Sequence, residues 1–192
     1  VAEIKSALEL ALEKAETYGR ATPEEMAVRQ HQERGRQLAV NYLREGGDLE
    51  AELKRLPAAE QEAVRETVKE VLLRNISLPR NGEIDSRQVK ALEGLLQVAR
   101  NKKGMARMKA ECEQVLQNFL QVRSSAHQQL KARFSASLGG VQRALEAQLG
   151  TKVRVEVEQI PQFQEEWRRF QMNLLDQFEP LLEDCKNKMA QL

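Results

Sequence analysis

Residues 105–126 read MARMKAECEQVLQNFLQVRSSA. Within them Met105, Met108, Cys112, Val115, Phe119, Val122 and Ala126 recur in alternating steps of three and four. That is the a/d seam of an amphipathic helix sustained over three heptads. Leu130, Phe134 and Leu138 continue it in steps of four. The spacing predicts one helix from Lys103 to Leu138, about 50 Å long at 1.5 Å rise per residue. Gly139-Gly140 is expected to break it, leaving a shorter helical piece, Val141 to Leu149, that ends at Gly150. The last helix repeats the pattern with Ile160, Phe163, Trp167, Phe170, Leu174, Phe178, Leu181, Cys185 and Met189. Pro180 lies inside it and is expected to remove a backbone hydrogen bond and bend it. Two such seams predict a long antiparallel hairpin with its tip at 139–160, across which paired residue numbers sum to about 300. Cys112 then faces the level of Lys188, and Cys185 that of Val115, with both thiols reduced and buried on one seam.

Upstream, the chain reads as shorter helices. Ile4, Leu8, Ala11, Ala15 and Tyr18 share one helical face, and Gly19 is placed to end it. Thr22-Pro23-Glu24-Glu25 restarts a helix: Thr22 caps, Pro23 suits the first helical position and Glu25 closes a capping box. Gly46-Gly47 stops that helix near Glu45. Asp48 caps a short helix with Leu49, Leu53 and Leu56 on one side. Pro57 opens the next, whose buried face carries Val64, Val68, Val71, Leu72 and Ile76. Leu78-Pro79-Arg80-Asn81-Gly82 is the clearest break in the chain. Asp85 or Ser86 then caps a helix bearing Val89, Leu92, Leu96 and Ala99. The fold class is therefore all-α, with a small helical bundle over residues 1–80 and a helix plus the hairpin over 84–192, the two parts able to pack as one domain.

One segment breaks the helical pattern. In Thr151-Lys152-Val153-Arg154-Val155-Glu156-Val157-Glu158, valine and charge alternate at period two, the signature of a half-buried strand. No second strand exists to pair with it. Its backbone groups have three solutions: a solvated connector, pairing with its own copy to make a homodimer at the hairpin tips, or an edge open to a partner's strand. The last two make Val153, Val155 and Val157 an interaction site.

The residues available for chemistry are few. The chain has 2 His and 2 Cys in 192 residues. Neither histidine has a second ligand at metal spacing, and no phosphate loop, dinucleotide fingerprint or nucleophile elbow occurs. The expectation is no metal, no cofactor and no catalytic residue. Glu165-Glu166 are adjacent on a helix and diverge by about 100°, so they read as acids favouring a helix N-terminus. His31 reads as part of a solvated face, His127 as flanking the seam and Trp167 as a core anchor. No apolar run approaches the roughly 20 residues that span a bilayer. The opening residues do not read as a secretory signal, and two distant cysteines do not make a disulfide framework, which points to a reducing, cytoplasmic setting.

Charge is unevenly spread. Residues 1–97 carry net −3, residues 98–154 net +8 and residues 155–192 net −4. Arg100, Lys102, Lys103, Arg107 and Lys109 follow one another with no acid between them. One reading makes this 98–109 run a surface for an anionic partner, nucleic acid or an acidic surface. The other sets the basic long helix against the acidic last helix, so that flanking charges fix their pairing. The absence of interleaved aromatics and of any nucleic-acid motif favours the second. Arg100, Lys102 and Lys103 are expected to serve the carbonyls of a helix C-terminus before Gly104.

The opening run Glu3-Ile4-Lys5-Ser6-Ala7-Leu8-Glu9-Leu10-Ala11-Leu12-Glu13 resembles the start of an uncharacterised family of bacterial all-helical proteins. The resemblance implies no activity. The reading that follows from the whole sequence is a non-enzymatic helical interaction or scaffold protein, with an anionic-partner module at 98–109 as the alternative.

Overall fold

The computed structural model describes residues 22–149 and 156–192, and for 139–149 the course of the helix only. Among the described residues there are six α-helices and no strand: α1 Pro23–Glu45, α2 Leu49–Lys54, α3 Ala58–Arg74, α4 Ser86–Val98, α5 Lys102–Leu149 and α6 Pro161–Ala190. A single 3-10 turn, Val157–Gln159, precedes α6. The predicted first helix over Ile4–Tyr18 lies outside the described residues.

The helix ends form as local chemistry dictates. Thr22 and Glu25 make a full capping box: the Glu25 N–H donates to Thr22 Oγ1 at 3.2 Å and the Thr22 N–H to Glu25 Oε2 at 3.0 Å. Gly46 and Gly47 end α1 with φ of 84° and 127°, a region closed to side chains with a Cβ. Asp48 accepts from the Ala51 N–H at 3.0 Å and Asp85 from the Arg87 N–H at 2.7 Å, each capping its helix. Two C-termini are finished by cations from other helices. Lys90 donates to the Leu43 and Arg44 carbonyls at the end of α1, and Arg65 to the Val98 carbonyl of α4 at 2.7 Å.

The core is one continuous cluster. Val64, Val68 and Leu72 of α3, continued by Ile76 just past its end, form a stripe at i+4 spacing and are essentially inaccessible. Burying each such side chain is worth about 1.5–3 kcal/mol. They meet Ala39, Tyr42 and Leu43 of α1, Leu49 and Leu53 of α2, and Ala91, Leu92, Leu95 and Val98 of α4. The same cluster runs on into the base of the hairpin through Met105, Cys112, Leu116 and Phe119 of α5 and Leu174, Leu182, Cys185 and Met189 of α6.

The hairpin has the expected register. Phe119 meets Phe178 edge-on at 5.5 Å and Phe134 meets Phe163 at 5.5 Å, pairs whose numbers sum close to 300. Cys112 and Cys185 are free, buried and close enough that charge on one thiol would be felt by the other.

Several expectations are corrected. Gly139-Gly140 does not break α5, which runs 48 residues from Lys102 to Leu149. Glycine in a helix interior costs about 1 kcal/mol relative to Ala, and the helix formers between Gln142 and Leu149 outweigh that. Pro180, by contrast, lies inside α6 as the sequence predicts.

The buried faces are also rotated from the heptad reading. Val122, Leu181 and Val89 are 42%, 52% and 41% exposed, while Leu116, Leu182 and Leu95 take their places inside. A straight helix turns 3.6 residues at a time, so its contact face drifts about 20° per heptad away from a 3.5-residue seam. In α4 the face is set by packing against several neighbouring helices.

Val157 opens the 3-10 turn and is buried, so the described end of the 151–158 segment is not a strand. The Gln159 N–H donates to the Glu156 carbonyl and the Ile160 N–H to the Val157 carbonyl. These local bonds satisfy a backbone that has no strand to pair with among the described residues. Val153 and Val155 lie outside the described residues.

Candidate functional site

The 98–109 run was the sequence's first candidate, and the structure disperses it. Arg100 pairs with Glu62 of α3, and Lys102 lies 2.5 Å from Glu50 of α2. Hydrogen bonds from Lys102 and Lys54 hold the Glu50 carboxyl down to about 2, and Glu62 pushes the Arg100 guanidinium up. Arg107 pairs with Glu111 at 3.1 Å and Lys109 with Glu113 at 2.7 Å, one turn along α5. Lys103 is exposed.

The expected helix C-terminal role of Arg100, Lys102 and Lys103 is overturned. Lys102 and Lys103 occupy the first turn of α5, whose cap is Asn101, accepting from the Gly104 N–H at 2.9 Å. The carbonyl at the end of α4 goes to Arg65 instead. The run bridges acids of α2 and α3, and only in part does the basic helix answer the acidic one. Across the hairpin Lys131 reaches Glu158 at 2.8 Å and Arg133 pairs with Glu166.

A different basic surface forms on the flank of the hairpin. The loop after α3 lies against α5 and α6. It turns at Gly82, whose φ is 87° and whose Cβ, if present, would stand 3.1 Å from an Arg123 guanidinium nitrogen. Glycine thus serves both the turn and the close approach of Arg123. Beside it is an open hollow of about 310 Å³ with Pro79, Phe119, Leu174 and Leu175 as its floor and Arg80, Arg123 and Arg168 around it. A second hollow of about 340 Å³ shares Arg123 and continues past Ser124 and Gln128 to His127 and Trp167. Together they make one trough along α5.

Its electrostatics differ from the rest of the surface. No carboxylate lines either hollow. Arg168 shares Glu165 with Arg169, whose hydrogen bond, with the charge of Arg168, holds that carboxyl below its usual range. Arg123 lies over the Trp167 ring, 5.9 Å from its centroid. Neither Arg80 nor Arg123 forms an ion pair with a described residue. At the trough's far end His127 packs edge-on against Trp167 at 4.7 Å and Phe163 at 5.6 Å, and its Nε2 is 3.9 Å from Glu158. Trp167 stacks on Phe170 with 12° between the planes.

Of the other singled-out residues, Glu165 and Glu166 face different cations, as their divergence requires. His31 lines a shallow hollow between α1 and α3 with Thr67 and Lys69. Burial pushes the Cys112 thiol up to about 12 and raises Cys185 as well, so neither is activated. No three His, Cys, Asp or Glu among the described residues cluster to hold a metal ion. No described helix is long and apolar enough to cross a membrane. The sequence reading passed over Arg80, Arg123 and Arg168 because they lie far apart along the chain; the Asn81-Gly82 turn was the one local sign that Arg80 is folded back onto a helix.

Comparison with curated proteins and with solved structures gives no significant match. A family match covers residues 50–191, from α2 to the end of α6, and so contains the hairpin and its flanking trough. The opening run that carried the resemblance, Glu3 to Glu13, falls outside it. With well over half its length matched, the chain belongs to a family of unknown function (DUF6657).

Proposed function

We propose that this is a non-catalytic helical interaction or scaffold protein of a reducing, cytoplasmic compartment, acting on a protein partner through its exposed helix faces. The observation that carries this reading is the trough on the hairpin flank. It is open along its length, has an apolar floor and is ringed by three guanidinium groups, of which Arg80 and Arg123 meet no carboxylate among the described residues while Arg168 holds Glu165. Arginine and exposed methionine beside a buried apolar floor are features of protein-binding surfaces. An enclosed site with converging acid and base groups would instead suit catalysis. The two buried thiols, unpaired on facing helices, fit a reducing setting.

The alternative of an anionic partner at 98–109 gains no support, since Arg100, Lys102, Arg107 and Lys109 already hold carboxylates. A homodimer through Val153, Val155 and Val157 would need strand pairing, and Val157 sits buried in a 3-10 turn.

The test is native capture of the full chain from its own cells, followed by mass spectrometry and light scattering of the purified protein. A stoichiometric protein partner is expected. Recovery of the chain alone, together with turnover of a small molecule, would overturn the reading.

A further inference from the structure

We propose that the trough holds an acidic amphipathic segment of the partner, with its carboxylates on Arg80, Arg123 and Arg168 and its apolar side chains on Leu175 and Met172. The proposal rests on the interaction-protein reading above and names the chemistry of what binds.

Charge carries the first half of the argument. Elsewhere on the described surface, cations that project from one helix toward another mostly meet an acid: Arg34 with Glu60, Lys102 with Glu50, Lys131 with Glu158. At the trough, three elements each bring an arginine and no acid lines the hollow; Arg168 already shares Glu165, while Arg80 and Arg123 meet no described acid. A planar guanidinium matches a carboxylate with two parallel hydrogen bonds, which makes arginine suited to this ligand at an interface. Arg80 projects from an exposed position and has all its donors available.

Shape carries the second half. The floor is apolar, and Met172, 58% exposed, stands at the mouth with nothing over it. A flexible thioether adapts to varied apolar partners. The two hollows run along α5 from Phe119 to Gln128, about 14 Å at the rise of a helix. That length fits two to three turns of a docked helix, read as anchors at i, i+3 or i+4 and i+7. A drug-sized ligand would remain largely in water in so open a groove, where a small-molecule site encloses most of its occupant.

Nucleic acid fits less well. Single strands bind by stacking bases on aromatic faces. Trp167 has Phe170 stacked against it and Arg123 over the ring, so neither partner leaves an open stacking platform.

A displayed library of random 12-residue peptides, panned on the full-length protein, tests this directly. Selected peptides are expected to be rich in Asp and Glu, with Leu or Phe at helical spacing. Their affinity, read by anisotropy on labelled synthetic copies, should fall about tenfold or more in Arg80→Glu/Arg168→Glu. It should also fall in Met172→Lys. All three positions are exposed, and circular dichroism checks that the variants stay folded. Basic or uncharged winners, winners unaffected by these substitutions, no winners, or tighter binding of a 12-nucleotide RNA at the same arginines would each overturn the proposal. A cellular partner captured equally well by Arg80→Glu/Arg168→Glu would remove the trough while leaving the interaction-protein reading standing.

Discussion

Gly94 stands where four helices meet. A Cβ there would lie 2.6 Å from Tyr42 Cε1, 3.0 Å from Leu72 Cδ1 and 3.3 Å from Leu49 Cδ1. These atoms belong to α1, α3 and α2, and all three side chains are buried. On an isolated helix, Gly→Ala would gain about 1 kcal/mol. Here the added methyl forces three packed groups apart, and overpacking costs about 1–3 kcal/mol. Gly94→Ala is expected to lower stability, measured as a reduced denaturant midpoint; an increase would show that the four helices are less tightly joined than described. Cys112 gives a second expectation. Burial lifts its thiol from an ordinary value near 9 to about 12. Between those limits the unfolded chain loses the proton while the folded one keeps it, so stability falls as pH rises from about 9 toward 12. Unfolding free energy followed through the lower part of that window should decline, and the decline should be shallower in Cys112→Ala. Both residues show what a single sequence discloses. The burial of Cys112 was legible from its place on the seam. The constraint on Gly94 was not, because it comes from three side chains about 20 to 50 residues distant in the chain.

At the level of elements, helix starts were read correctly wherever a cap needs only its own neighbours. The box of Thr22 with Glu25 and the caps of Asp48 and Asp85 close over two or three residues, so sequence alone contains them. The ends and faces were harder. A Gly-Gly pair stops α1 but not α5, and the difference lies in the backbone conformation adopted, not in the pair. The inward-facing residues followed the 3.6-residue turn, so Leu182 replaced Leu181. Pro180 belongs to this scale. It is exposed, it lies inside α6 and it cannot donate to the carbonyl four residues back. Pro180→Ala restores that hydrogen bond but enlarges the freedom of the unfolded chain. The first effect is the larger, and a net stabilisation of about 1–2 kcal/mol is expected. Thermal unfolding would register it as a higher midpoint; a lower midpoint would mean that the local geometry at Pro180 positions Leu182 and Cys185.

Across the whole molecule, burial is graded along the hairpin. On α5 the fully buried side chains are Met105, Cys112, Leu116 and Phe119; from there to Leu138 every apolar position is half-buried or exposed. The base of the hairpin shares its core with the helical bundle, while its outer part is held by Phe163, ring contacts and rim ion pairs. Local openings therefore cost less toward the tip. Hydrogen exchange is expected to be slowest around Cys112–Leu116 and to quicken by Gln128–Lys131. Equal protection along α5 out to Phe134 would contradict the gradient. This unequal firmness was half legible: the seam predicted the pairing of the helices, but not that only its inner stretch would be sealed by a third layer. The trough was less legible still, because it requires a loop to lie across both helices.

The chain contains one tryptophan, and it stands at the far end of that trough. Light absorbed only by indole therefore interrogates a single point in the protein. Around the ring are a guanidinium, an imidazole and a second aromatic plane. Indole emission responds to the charges and dipoles beside it, in both colour and yield. Anything that draws Arg123 away, or changes the charge on His127, would alter that glow, so the protein carries its own optical gauge of whether the groove is empty or filled.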